Sequence, residues 1–294
     1  MTTAPATAAE ALAGLARIRP AGWLATPMPA DPDTLLARAR QALAADHPGV
    51  DGTLRLVSAR YTAAVFTVHQ ATGPLTLKLH ADPIAYAGET LAYALLTGTA
   101  TIPHLHAEGD SSLSLLLEHL PHPTDWSDAA TPAVLAERIA AVHTASLRLP
   151  QYATEAMTEF SLAHLALAPA PAWIADATAW SDVLAAHHDA YGPALVPLGH
   201  LDLKPEHLRL RADGTVVLLD VETVRPDVTG LIDLVTLPAV YRQAGHEMHP
   251  AKVMDLYLNA TAAHGASWTT SSLKAALRAF TAATGLQSLH GLDQ

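Results

Sequence analysis

The sequence predicts an α+β fold in two unequal parts, a small antiparallel sheet followed by a mostly helical body. Three observations carry that expectation. From Gly52 the apolar residues alternate in strand fashion as far as His80. After Pro123 their spacing becomes helical. Between Gly199 and Glu222 a His- and Asp-rich loop runs into strand, tight turn and strand. The expected division is a helical lead-in over 1–50, a sheet with one helix over 51–121, and a helical part over 122–294.

The elements follow in order. Ala8 to Ile18 is an Ala-rich helical stretch, and Pro20, Pro27, Pro29 and Pro32 then interrupt the chain. Asp33 is the expected N-cap of a helix over Thr34 to Ala45, which carries Leu35, Leu36, Ala39 and Leu43 on one face. Thr53 to Val57, Ala64 to Gln70 and Leu75 to His80 read as three strands, the last two joined at Ala71-Thr72-Gly73-Pro74. The link Ser58 to Ala63 is a loop without glycine. Lys78 stands mid-strand among leucines, where a charge needs a partner. Glu89 opens a helix running to Leu96.

A second hairpin has strands at His104 to Ala107 and Leu113 to Leu117, followed by Glu118-His119-Leu120-Pro121. Pro132 starts a helix whose stripe is Leu135, Ile139, Val142, His143 and Leu147; His143 reads as a packing or hydrogen-bonding residue. Residues 150 to 172 are rich in Ala and Pro. Trp173 to Ala190 is a further helix, and helices are expected near 252–264 and 270–284.

In the central stretch, His200 and Asp202 open a loop that closes at His207. Leu208 to Asp220 is a hairpin turning at Asp213-Gly214, so Asp220 comes back toward Asp202 and His207. Strand alternation puts Asp220 and Glu222 on one face. Two carboxylates and an imidazole around one point suit a divalent cation and a hydroxyl awaiting deprotonation.

His-x-Asp-x-x-x-x-His, a short hairpin and Asp-x-Glu resemble the catalytic core of aminoglycoside phosphotransferases and related small-molecule kinases. The resemblance spans roughly 52–240 and implies a two-lobed protein-kinase-like fold with a small sheet lobe and a helical lobe. It implies transfer of the γ-phosphate of ATP or GTP to a hydroxyl, with Mg²⁺. Asp202 would accept or orient the hydroxyl proton, and Asp220 would bind Mg²⁺. His207, where an Asn usually stands, would be a second ligand, though imidazole suits Mg²⁺ less well than oxygen. Lys78, oriented by Glu89, would hold phosphate oxygens. Ser58 belongs to the loop over the phosphates, and the backbone near Glu118 and Leu120 would bind the purine edge. Lys204 would reach the γ-phosphate or stay solvated, and Glu222 would touch metal or substrate. Arg225 to Leu234 resembles the closing segment, whose Asp233 would hold the catalytic-loop backbone.

Composition bounds these readings. The net charge of −11 argues against nucleic-acid or anionic-membrane partners and suits a cationic small-molecule acceptor, an aminoglycoside or related antibiotic. The absence of cysteine excludes disulfides and thiolate chemistry. No apolar run is long enough to span a membrane, and Met1 to Leu12 lacks a basic leader, so a cytoplasmic enzyme is expected. Three alternatives stand beside the antibiotic kinase. One is a kinase of a sugar, nucleoside or amino alcohol, another a catalytically inactive kinase-like binding protein. The third is a metal-dependent hydrolase built on His200, Asp202, His207 and Asp220, which leaves Lys78 and Glu89 without a role.

Overall fold

The structure, a computed structural model, describes residues 26–96, 98–148, 161–171, 174–193, 195–224, 229–286 and 288–293. The expected helix at Ala8 to Ile18, residues 150–160 of the Ala/Pro-rich stretch, Trp173 and Arg225 to Val228 lie outside the described residues. The chain divides into two compact units. One joins Ala21–Pro123 to the distant segment Arg209–Glu222, and the other contains Thr124–Leu208 and Thr223–Gln294.

The first unit is built on a five-stranded antiparallel sheet of β1 (Thr53–Ala59), β2 (Ala63–His69), β3 (Leu75–His80), β4 (Leu105–Gly109) and β5 (Ser114–Glu118), in the order β1-β2-β3-β5-β4. The helix α1 (Pro32–Asp46) packs on the sheet through Leu35, Ala39, Ala42 and Leu43. These residues form one core with Phe66, Val68, Leu77, Leu79 and Leu116. The N-cap is Asp31, not Asp33. Its carboxylate accepts the Thr34 amide at 2.8 Å, and Pro32 takes the first helical position, where a missing N–H matters least.

The next helix, α2 (Pro83–Leu96), begins six residues before the expected start at Glu89. Asp82 sets the start, its side chain accepting the Ile84 amide at 3.0 Å ahead of Pro83. Glu89 is therefore a mid-helix residue with a buried side chain, not a helix opener. A second sheet has the order β6-β7-β8, formed by β6 (His122–Pro123), β7 (Leu208–Leu210) and β8 (Val216–Leu218). The turn between β7 and β8 falls at the expected place, with Gly214 at φ +83°, a conformation that glycine adopts at little cost.

The second unit is helical. It contains α3 (Thr131–His143), α4 (Leu162–Leu165), α5 (Ala177–Tyr191), α6 (Leu231–Gln243), α7 (Pro250–Ala263) and α8 (Thr270–Thr284). Here α5 packs against α8, and α3 against α7. The expected stripe of α3 is buried at Leu135, Ile139, Val142 and His143. Among the described residues no helix is long and apolar enough to cross a membrane.

Candidate functional site

The chemistry of the first unit centres on Lys78. Its neighbours on β3, Leu77 and Leu79, are fully buried, and its own side chain is 7% exposed. A charge so placed must be matched within the protein. Glu89 of α2 comes within 2.9 Å of Nζ, Glu222 within 3.0 Å and Asp220 within 3.2 Å. Burial works against the ammonium, but Glu89, Glu222 and Asp220 override it and hold Lys78 well above its ordinary pKa. Burial likewise opposes the Glu89 carboxylate, and Lys78 and His80 reverse that effect, so its pKa lies below the usual range.

The last two carboxylates reach Lys78 by a route that strand alternation does not describe. The strand β8 ends at Leu218, Asp220 takes a left-handed backbone with φ +54°, and Glu222 sits in a 3₁₀ turn over Val221–Thr223. The expected shared strand face is thus replaced by a tight reversal that still delivers both side chains to one ammonium. Gly88 makes room for it: a Cβ there would lie 3.1 Å from the Glu222 carbonyl oxygen.

His80, two residues after Lys78 on the same face of β3, completes the group. Its Nε2 lies 2.9 Å from the Glu89 oxygen, and its side chain is fully buried. His80, Glu89 and Glu222 bring three donor atoms within 4.8 Å of one another. The cation placed among these carboxylates is Lys78's own ammonium.

Ser58 and Glu118 differ from the sequence expectation. Ser58 pairs with Val65 inside β1, and Arg60 bonds back to Ala63, so the loop expected over Ser58 to Ala63 shrinks to a turn over 60–62. At Glu118 the amide donates to His104 O at 2.8 Å, which removes the free N–H expected there. The Glu118 carboxylate accepts the His104 amide and both bonds from Arg211 Nε, each at 3.0 Å. Leu120 follows β5 outside regular structure and is partly buried.

In the second unit the loop 200–207 is held by Asp233 on the first turn of α6. Oδ2 accepts the His200 amide at 2.5 Å, and Oδ1 accepts the Leu201 amide at 2.8 Å. Leu201 has φ +68°, an uncommon conformation for a non-glycine residue, and the bonds from its own amide and that of His200 to Asp233 fix it. Asp202 follows with its carboxylate 38% exposed, paired with Lys204 at 2.8 Å. His207, closing the loop, donates from Nδ1 to the Asp202 carbonyl at 2.7 Å, so that nitrogen supports the loop and is not available to a metal. Asp220, 47% exposed, offers hard carboxylate oxygens of the kind Mg²⁺ takes. The donor chemistry therefore fits Mg²⁺ at Asp220 and fits it less well at His207.

No protein-family model and no curated protein matches the sequence. Solved structures do match. An ethanolamine kinase of Plasmodium vivax aligns over 90% of this chain and 84% of its own, with 10% identity and a TM-score of 0.53. The chain has the protein-kinase-like fold. Two further matches are a choline/ethanolamine kinase family protein of Mesorhizobium loti and a protein of Ralstonia eutropha described as an aminoglycoside phosphotransferase. The first has 16% identity, covers 84% of this chain and 82% of its own, and has a TM-score of 0.48. The second has 17% identity, covers 86% and 87%, and has a TM-score of 0.45.

Sequence reasoning missed His80, because a histidine at a strand end carries no signature. It also missed Tyr257, whose place on a helical stripe reads as apolar packing. His143 was legible as a hydrogen-bonding residue, but its partners were not.

Proposed function

We propose that the protein transfers the γ-phosphoryl group of ATP or GTP to a hydroxyl of a small cationic molecule in the cytoplasm. The observation that carries this reading is the buried Lys78, held by Glu89 from α2 and by Asp220 and Glu222 after β8. A buried ammonium that already faces three carboxylates is positioned to take phosphate oxygens as further anionic partners. Glu89 keeps it in place. Asp202 orients the acceptor hydroxyl and accepts its proton, exchanging its pair with Lys204, which turns to the incoming phosphoryl charge. Magnesium, when bound, would offset the charge of the phosphate oxygens. Asp220 is the residue proposed to hold it, with His207 as a second ligand through its remaining nitrogen. Ser58, Glu118 and Leu120 are proposed to border the nucleotide, Leu120 through its backbone.

The acceptor proposed is an aminoglycoside or a related antibiotic, which the net charge of −11 suits. An amino alcohol is the acceptor to test beside it, since the Plasmodium vivax protein that shares the fold is an ethanolamine kinase.

The deciding experiment is thermal shift with ATP and GTP, with and without Mg²⁺, on the wild type and Asp220→Ala. A ligand bound by the folded state alone raises the melting temperature. A Mg²⁺-dependent rise that Asp220→Ala abolishes supports the reading and identifies the nucleotide. No rise with either nucleotide refutes it. Asp202→Asn is then expected to keep the rise and lose phosphoryl transfer to the acceptor panel.

One observation favours a second reading, a binding protein without turnover: the β1–β2 turn is tight and lacks glycine amides to approach phosphate. Nucleotide binding with no transfer to any acceptor in the panel would select it.

A further inference from the structure

A line of buried polar side chains in the helical unit ends on the carboxylate that holds the Asp202 loop. Trp268, in the turn between α7 and α8, donates from Nε1 to Tyr191 Oη at 2.8 Å. The Tyr191 and Tyr257 hydroxyls are hydrogen-bonded to each other. Tyr257 Oη lies 2.8 Å from His143 Nδ1, and His143 Nε2 lies 2.9 Å from Asp233 Oδ2. Tyr257, His143 and Asp233 are almost entirely buried.

Donor and acceptor chemistry fixes the direction of the bonds at the two ends of this line. An indole N–H only donates, so Tyr191 accepts from Trp268. A carboxylate only accepts, so His143 Nε2 carries a proton directed at Asp233, and Tyr257 meets the other ring nitrogen. Asp233 receives three donors: His143, the His200 amide and the Leu201 amide. Close packing holds the ring in place, since a Cβ on Gly230 would come 2.3 Å from His143 Nδ1.

We propose that Trp268, Tyr191, Tyr257 and His143 are positioning residues that set the orientation of Asp233 and, through it, of the loop presenting Asp202. The role in turnover rests on the phosphotransferase reading; the geometry of the line does not. Each hydroxyl satisfies one neighbour and orders the next. Loss of any one leaves a buried polar atom unmatched and frees the imidazole to turn. The left-handed Leu201 then loses the rigid carboxylate that holds its own amide and that of His200.

The test uses ¹⁵N-histidine-labelled full-length protein, with His143 assigned by difference against His143→Gln, and amide hydrogen exchange. In the wild type, His143 is expected to carry a proton on Nε2, the nitrogen that faces Asp233. In Tyr257→Phe, exchange of the His200 and Leu201 amides rises about tenfold, while the Val183 and Leu184 amides of α5 keep their wild-type rate. Trp268→Phe keeps a ring in place and is expected to move the same two amides by about threefold, which covers the case of a Tyr257→Phe protein that does not fold. A His143 without a proton on Nε2 in the wild type overturns the proposal, as does exchange that rises equally everywhere or nowhere. In phosphoryl transfer, kcat falls in Tyr257→Phe and the nucleotide KM is unchanged. A wild type that transfers nothing counts against the proposed activity, and the exchange result then decides the relay by itself.

Discussion

Removing the two ends of the Lys78–Glu89 pair should not cost the same. Lys78→Met leaves Glu89, 2% exposed, without its ammonium, and brings Glu222 and Asp220 close together with nothing between them. Breaking a buried pair from one side costs about 3–5 kcal/mol, mostly because the remaining charge is stranded. Glu89→Gln also removes a charge, but Lys78 keeps Glu222 at 3.0 Å and Asp220 at 3.2 Å. The exposure of those two carboxylates limits what they contribute, so the cost of Glu89→Gln is about 1–2 kcal/mol. Urea unfolding of both variants at neutral pH measures the difference. With a slope of about 2–3 kcal/mol/M, the Lys78→Met midpoint falls by about 1–2.5 M and that of Glu89→Gln by about 0.3–1 M. The double variant should be less damaged than the two losses added together, by about 1–3 kcal/mol. Equal losses in the single variants, or strict additivity in the double, would refute the view that one ammonium serves three carboxylates.

Other expectations are as specific. Gly230→Ala should destabilise by about 2 kcal/mol or more, because its methyl meets the His143 ring, whereas Gly214→Ala, strained in backbone but with open space around it, should lose about 1 kcal/mol; melting curves compare them. Asp31→Ala should lower the melting temperature through the lost cap, and Asp33→Ala should lower it less; the reverse order would restore Asp33 as the cap. Burial lowers His187 to about 4 in the folded protein, below its ordinary 6.5. Below 6.5 the unfolded chain therefore binds a proton that the folded one refuses, and stability declines as pH falls from 6.5 toward 4. Across that window the loss is roughly 3 kcal/mol, and His187→Phe should flatten it in denaturant titrations at stepped pH.

The sheet, the helical body and the order of Lys78, Glu89, Asp202 and Asp220 were legible because periodicity and local spacing write them directly into the chain. The start of α2 was also written there, in Asp82-Pro83, but the conspicuous Glu89 drew the boundary away from it. What periodicity does not encode is which distant residues meet. Nothing local to Glu222 announces an ion pair with Lys78, and a reversal at Asp220 through a left-handed backbone runs against the side-chain alternation a strand would impose. Tyr257 and Tyr191 fall on helical stripes that look apolar, and their hydroxyls acquire meaning from partners more than 60 residues away along the chain.

The segment Arg209–Glu222 belongs to the sheet unit, although the chain leaves that unit at Pro123 and returns to it only afterwards. Arg211 fastens the returning piece, its guanidinium reaching the Glu118 carboxylate and the carbonyls of Ala100 and Ile102. Lys78 and Asp220 stand 142 residues apart in sequence. During synthesis, then, the sheet emerges from the ribosome with its central lysine matched by Glu89 and without the two acidic side chains that finish its surroundings. The unit cannot close until Glu222 has been added, so a sheet begun before Thr124–Leu208 of the helical unit is completed only after it. Closing so long a loop is only modestly dearer in entropy than closing a short one, but it delays the moment of closure. A nascent chain halted before Arg209 would carry an unfinished sheet, open to any chaperone or protease that reads exposed apolar strands.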